Sequence, residues 1–165
     1  MNELLQHLVE ALREELRQYG EMLALLDHQQ ELVMRRQAPE VLKSISAIDA
    51  QAEVLHVARG EREQRRRRVA REAKVDEESA FSALIPRLPA DYRPLLHALV
   101  QENNDLLVRV QQRARQNHLL LSRAVELMQK LISSLVPCPA PGTYNDLGRL
   151  PAKALPPQSL YNAVG

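Results

Sequence analysis

Few residues in this chain are placed to do chemistry, and their spacing excludes most reactions. Glu53 and His56 form one Glu-x-x-His pair, half of the set that carboxylate-bridged metal bundles use to hold two ions. No second pair occurs, so a solvated glutamate and a surface histidine are expected. His7, His28, His97 and His118 stand at no metal-ligand spacing to cysteine or carboxylates. The single cysteine, Cys138, lies between Pro137 and Pro139, away from any helix N-terminus that would lower its pKa. The five glycines are dispersed and build no phosphate loop. No catalytic residue, metal site or cofactor is expected. The residues point to a binding protein and not to an enzyme.

Two other clusters carry chemistry of recognition. Arg59, Arg62, Arg65, Arg66, Arg67, Arg68 and Arg71 fall in one stretch and could neutralise phosphates. Glu61, Glu63 and Glu72 are interleaved with them, Glu61 stands four residues before Arg65, and no aromatic residue is nearby to stack a base. The expectation is a solvated, salt-bridged helix extension and no nucleic-acid partner, with docking to an acidic protein surface left open. The second cluster is a repeat. Tyr144-Asn145-Asp146-Leu147-Gly148 and Tyr161-Asn162-Ala163-Val164-Gly165 both spell Tyr-Asn-x-x-Gly. Each is a turn or a short linear recognition motif with tyrosine as the anchor.

The elements that must position these residues are helices. The chain is rich in straight-chain helix formers and poor in aromatics, with no Trp, one Phe and four Tyr. A first helix is predicted from about Asn2 to Gln37, with Leu5, Leu12, Tyr19, Leu26 and Val33 recurring every seventh residue. Ala38-Pro39-Glu40 restarts the chain, because proline suits the first turn of a helix. Val41, Leu42, Ile45, Ile48, Ala52 and Leu55 form the apolar face of a second helix, which continues through the arginines to about Ala73. Its distal half is expected to project past the core. Asp76 is predicted to cap a short helix from Glu77 to Ile85, and Asp91 to cap the last helix, about Tyr92 to Val136.

The last helix carries a seam stepping by four and three: Leu99, Asn103, Leu106, Val110, Arg113, Asn117, Leu120, Ala124, Leu127, Leu131. Asn103 and Asn117 either fix the register of that seam or face a partner helix, the register role coming first. Leu107, Leu119, Leu121, Val125, Met128 and Ile132 lie beside the seam and widen it beyond what two neighbouring helices cover. The fold class is therefore all-α. Three long helices and one short one build an elongated antiparallel bundle over residues 1–136. Residues 137–165 hold six of the ten prolines and form a Pro-rich, largely unstructured C-terminal tail. The formal net charge of +1 gives no global attraction to nucleic acid. The acidic, amphipathic N-terminus resembles no signal peptide and no run of 18 apolar residues occurs, so a cytoplasmic chain without membrane insertion is expected.

In this order the parts resemble the FlgN-like family of flagellar type III export chaperones. The resemblance rests on the first helix through Glu14, Glu15 and Tyr19 to Leu25-Leu26, and on the break at Pro39. It rests also on the long last helix with Asn103, Asn104 and Asn117, and on Thr143-Tyr144-Asn145-Asp146-Leu147-Gly148-Arg149 after it. The arginine run, the long Pro-rich tail and the second Tyr-Asn-x-x-Gly copy depart from the family pattern. The resemblance implies a cytoplasmic chaperone without ATPase activity. It would bind the hook–filament junction proteins through their C-terminal amphipathic segments, prevent premature assembly, and deliver them to the export gate and export ATPase complex. On that reading Asn103, Leu106, Val110, Asn117, Leu120, Leu127 and Leu131 bind client. Tyr144, Gly148 and Tyr161 are the candidates for the export-gate contact. The competing expectation is a coiled-coil adaptor or structural protein whose seam serves self-association, giving a homo-oligomer.

Overall fold

The computed structural model describes residues 1–135, and they form helices joined by short turns: α1 (Asn2–Met34), α2 (Ala38–Glu72), α3 (Phe81–Leu84) and α4 (Arg93–Leu135), with two short 3-10 turns, Ile85–Arg87 and Ala90–Tyr92, before α4. No strand occurs among the described residues. The chain divides into two units, Met1–Val125 and Glu126–Gly165. The second is described only over its first ten residues, which continue α4.

Both long N-terminal helices stop in the same way. At the end of α1, Gln37 N–H donates to Leu32 C=O (3.0 Å) and Arg36 N–H to Val33 C=O (3.0 Å). At the end of α2, Val75 N–H donates to Ala70 C=O (2.9 Å) and Lys74 N–H to Arg71 C=O (3.1 Å). These are Schellman closures, which satisfy carbonyls that the helix leaves without partners. They require a left-handed residue, and Arg36 (φ 57) and Lys74 (φ 56) fill that place without being glycine. Pro39 lies in the first turn of α2, as the restart at Ala38-Pro39-Glu40 predicted.

Helix directions follow from the polar pairs. Gln29 meets Ser44, Gln18 meets Gln51 and Glu15 meets Arg62, so α1 and α2 run antiparallel. Asn103 reaches Leu12 C=O and Asn117 reaches Leu26 C=O, so α1 and α4 run parallel at a constant offset of 91 residues. The apolar core gathers where α1 begins, α2 ends and α4 begins. Leu5, Leu8, Val9 and Leu12 pack there with Val69, Ala70, Leu84, Ile85, Leu88, Leu96 and Leu99. A fully buried leucine contributes roughly 1.5–3 kcal/mol, so this cluster is the main source of stability.

Four expectations need correction. The arginine-bearing half of α2 does not project past the core. Val69 and Ala70 are core residues, and Arg66 itself is only 5% exposed. The seam of α2 steps through Val41, Ser44, Ile48, Gln51, Leu55, Ala58, Arg62, Arg66 and Val69, so several polar residues hold seam positions. Leu42 and Ala52, expected on the apolar face, are exposed, and Ile45, Ile48 and Leu55 are half-buried. The short helix also begins later than expected, at Phe81 and not Glu77. Asp76 accepts from Glu78 N–H (3.1 Å) in a turn instead of capping a helix. The cause is Arg66, whose buried guanidinium donates to the carbonyls of Glu77 (2.7 Å) and Ser79, holding them out of helical geometry.

Candidate functional site

The seven client-binding candidates on α4 fall into three environments. Asn103 and Asn117 are buried, Leu106, Val110 and Leu120 are half-buried, and Leu127 and Leu131 are exposed. Asn103 Nδ2 donates to Leu12 C=O (3.0 Å) and, within its own helix, to Leu99 C=O (2.9 Å). Asn117 Nδ2 donates to Leu26 C=O (2.7 Å) and to Gln29 Oε1 (3.1 Å). Gln29 in turn donates to Ser44 Oγ (3.2 Å), which donates to Val41 C=O (2.6 Å). One chain of hydrogen bonds thus crosses α4, α1 and α2. The two asparagines lie two heptads apart on α4, and their partners Leu12 and Leu26 lie two heptads apart on α1. A shift of α4 by one turn would break both sets together, which is how a polar seam residue fixes register. Arg113 adds to this seam, with Nε 2.7 Å from Asp27 Oδ1 in an ion-pair contact and its guanidinium bonded to Gln30 Oε1.

The offset between α1 and α4 also sets where the seam loses its cover. Met34, the last residue of α1, falls level with Val125. Of the residues that follow, each of 126–135 is exposed. Leu127, Met128, Leu131, Ile132 and Leu135 are all more than half exposed. At about 100° per residue they occupy roughly one face of the helix, while Glu126, Gln129, Lys130, Ser133 and Ser134 occupy the other. The serines bond back to their own helix, Ser133 Oγ to Gln129 C=O and Ser134 Oγ to Leu131 C=O, both at 2.8 Å. The stretch is a helix with a sharp apolar stripe and no covering element among the described residues. Leu119 and Val125, in the first unit, are exposed as well. Sequence reading had placed Met128 and Ile132 beside the seam but not among the site residues, and had left out Leu135. The signal was the length of α1 against that of α4.

The arginine stretch is largely neutralised. Glu63 accepts from Arg62 (3.0 Å), Arg66 (3.0 and 2.5 Å) and Arg67 (3.1 Å). The hydrogen bond from Arg66 above all pulls its pKa down to about 2 against the opposing effect of burial, helped by the bond from Arg67 and the charges of Arg66 and Arg62. Arg67 also pairs with Glu78 (3.0 Å) and Arg71 with Glu77 (2.8 Å). Hydrogen bonding to Arg71 lowers the Glu77 pKa.

Next to this network, within the first unit, lies a cleft of about 220 Å3. Its polar wall is Glu15, whose carboxylate accepts from Arg62 Nε (2.9 Å) and Tyr19 Oη (3.3 Å). Burial, and then the Glu15 charge, raise the Tyr19 pKa. Arg62 also stacks over the Phe81 ring, 5.9 Å from its centroid. The sequence places Tyr19 in the seventh-residue repeat of α1 and Glu15 only within the family resemblance, and pairs neither with Arg62.

Tyr144, Gly148, Tyr161 and Cys138 lie outside the described residues. Glu53 and His56 are both exposed. Among the described residues no group of three or more metal-ligating side chains converges, and no helix is long and apolar enough to cross a membrane.

The described residues thus form an all-α chain with a register-fixing polar seam and an exposed apolar stripe at the end of α4. The FlgN protein family matches residues 1–152, and the chain belongs to that family. FlgN proteins are flagellar export chaperones, a family of protein-binding and not enzymatic function. Comparison with curated proteins and with solved structures gives no match.

Proposed function

We propose that this chain is a cytoplasmic chaperone that binds hook–filament junction proteins and keeps them unassembled. It then brings them to the export gate and export ATPase complex of the flagellar type III apparatus. The observation that carries the reading is the exposed stripe Leu127, Met128, Leu131, Ile132 and Leu135 on a member of this family. The client segment is an amphipathic helix that covers the stripe, with its own apolar face protected from self-association meanwhile. Burying five such side chains from about half exposure offers a gross gain of roughly 5 kcal/mol or more before ordering costs. Leu127 and Leu131 stay in the client site. Asn103 and Asn117 act behind it by setting the register of α4, and Leu106, Val110 and Leu120 lie between.

The export-gate contact is assigned to Tyr144 and Gly148. The family match reaches through this motif and ends before Tyr161, which supports the first copy over the second. Titration calorimetry against the C-terminal segments of the two junction proteins tests the proposal. Saturable one-to-one binding with a negative heat-capacity change is expected. Leu131→Glu, which places a charge on the exposed stripe without touching the core, should abolish it. Tyr144→Ala should leave client affinity unchanged and weaken binding to the export gate. No binding of either segment by the folded wild-type chain would sink the proposal.

The same stripe favours a second reading. Leu127 and Leu131 continue the four-and-three spacing of a coiled-coil seam, so the free chain could pair with a second copy through it. Mass in solution separates the two: a dimer that Leu131→Glu leaves intact does not use this face.

A further inference from the structure

The arginine run of α2 is largely paired off, and the free positive charge of the chain lies elsewhere. From Leu106 to Val125, α4 holds Arg109, Arg113, Arg115 and Arg123 and no carboxylate. Arg113 is taken by Asp27. Arg109, Arg115 and Arg123 are exposed, and none makes an ion pair or a side-chain hydrogen bond among the described residues. Asp105, one turn before Arg109, accepts from Gln101 instead (3.0 Å). Asn103 and Asn117 turn one side of α4 toward α1. At about 100° per residue the three free arginines fall within roughly a third of the circumference, on the side away from those asparagines. Val108 and Leu119 lie in the same sector and are 50% and 58% exposed. They are separated by close to three full turns, so they stand nearly in line along the helix, about 16 Å apart. Unpaired cations and two aligned apolar side chains therefore share one face of α4.

We infer that this outer face of α4, from Val108 to Arg123, docks an acidic α-helix of a protein partner. The partner is acidic because the face carries three cations and no anion of its own, and opposite charges both attract and orient an approaching surface. It is a helix because a second helix repeats the rise and rotation that set Val108 and Leu119 in line. Two of its apolar residues at the same separation meet both anchors without bending, and carboxylates between and beside them reach the arginines. A bilayer is a poorer match: Gln112, Gln116 and Ser122 fill the rest of the sector, so no continuous apolar face is offered to acyl chains. A nucleic acid is poorer still, since α4 carries no aromatic residue on which a base could stack. A protein partner also suits a protein-binding family. No residue of this face belongs to the proposed client stripe, and the test uses no junction protein, so the two readings can fail separately.

The test is fluorescence anisotropy of the full chain with a labelled acidic helical peptide, glutamate-rich, with two leucines at the Val108-to-Leu119 separation. A control peptide of the same composition carries its leucines on opposite sides of the helix. The first peptide should bind saturably, weaken as salt screens the charges, and bind more tightly than the control. Replacing all three arginines (Arg109→Gln, Arg115→Gln, Arg123→Gln) should weaken it about tenfold, the loss expected for three exposed ion pairs. Leu119→Gln should weaken it several-fold. All four positions are exposed, so the fold should survive, which thermal melts check. Arg13→Gln, Arg65→Gln and Arg68→Gln together remove the same charge from α1 and α2 and should leave affinity within twofold. Equal binding of the two peptides, or an equal loss in both triple variants, would reduce the effect to unspecific charge and overturn the inference. So would vesicles of equal parts phosphatidylglycerol and phosphatidylcholine, or oligothymidylate, binding through these arginines more tightly than the peptide.

Discussion

Replacing Glu63 with glutamine should reveal how far the arginine segment belongs to the folded body. Glu63 gathers Arg62, Arg66 and Arg67, and Arg66 is buried while also donating to two loop carbonyls. The carboxyl titrates at about 2 in the folded chain against an ordinary value of 4.5. At about 1.4 kcal/mol per pH unit the full linkage would be roughly 3 kcal/mol. The Glu63 side chain is 32% exposed, so solvent screening reduces this to roughly 1–2 kcal/mol. A carboxylate whose folded pKa lies below its unfolded value stabilises the fold above the unfolded value. That contribution fades as pH falls from about 4.5 toward 2. Glu63→Gln should therefore be less stable than wild type at pH 7 by roughly 1–2 kcal/mol, about 3–6 °C in Tm. The two chains should converge near pH 2. Urea unfolding followed by circular dichroism between pH 2 and 7 measures this directly. Parallel curves at all pH values would refute the clamp and restore a solvated extension.

Removing glycine from inside the two helices and adding it just past their ends should both stabilise the fold. Gly20 and Gly60 lie inside α1 and α2 with open space where a Cβ would stand, so Gly20→Ala and Gly60→Ala should each stabilise by about 0.5–1 kcal/mol in thermal melts. Arg36 and Lys74 hold left-handed backbone, so Arg36→Gly and Lys74→Gly should each stabilise by up to about 1 kcal/mol; destabilisation by either would mean that the Schellman closures are misread. Asn117→Ala should cost about 1–3 kcal/mol by leaving Gln29 Oε1 without its donor in a buried seam. In a double-mutant cycle it should couple to Ser44→Ala, and additive losses would argue that the hydrogen-bond chain across three helices does not act as a unit.

The helices were legible because apolar periodicity and proline placement are local signals. The seventh-residue repeat of Leu5, Leu12, Tyr19 and Leu26 placed α1, and Pro39 placed the start of α2. The seam of α2 was harder to read, because polar residues occupy it. Ser44, Gln51, Arg62 and Arg66 keep the four-and-three spacing but look like surface, and only partners on other elements make them interior. Arg66 needs Glu63 from its own helix and two carbonyls from the following loop, and a periodicity count does not see a loop that folds back. The early start expected for α3 failed for the same reason. Asn103 and Asn117 were legible as polar seam residues, but only the constant 91-residue offset to α1 shows which helix they read.

That offset links register to binding. Apart from Leu96 and Leu99, every buried residue of α4 is one of these two asparagines. The helix is therefore anchored by apolar packing at its start and located by hydrogen bonds farther along. An all-leucine seam would bind more strongly but would tolerate a slip by one heptad, since leucine meets leucine in either register. A slip by one heptad would move α4 along α1 by about 10 Å at 1.5 Å per residue. It would change how much of the apolar stripe is free. A polar seam gives up some stability and holds the length of that stripe constant. If the proposed client helix docks on that stripe, a constant stripe length matters more to the protein than a stronger core.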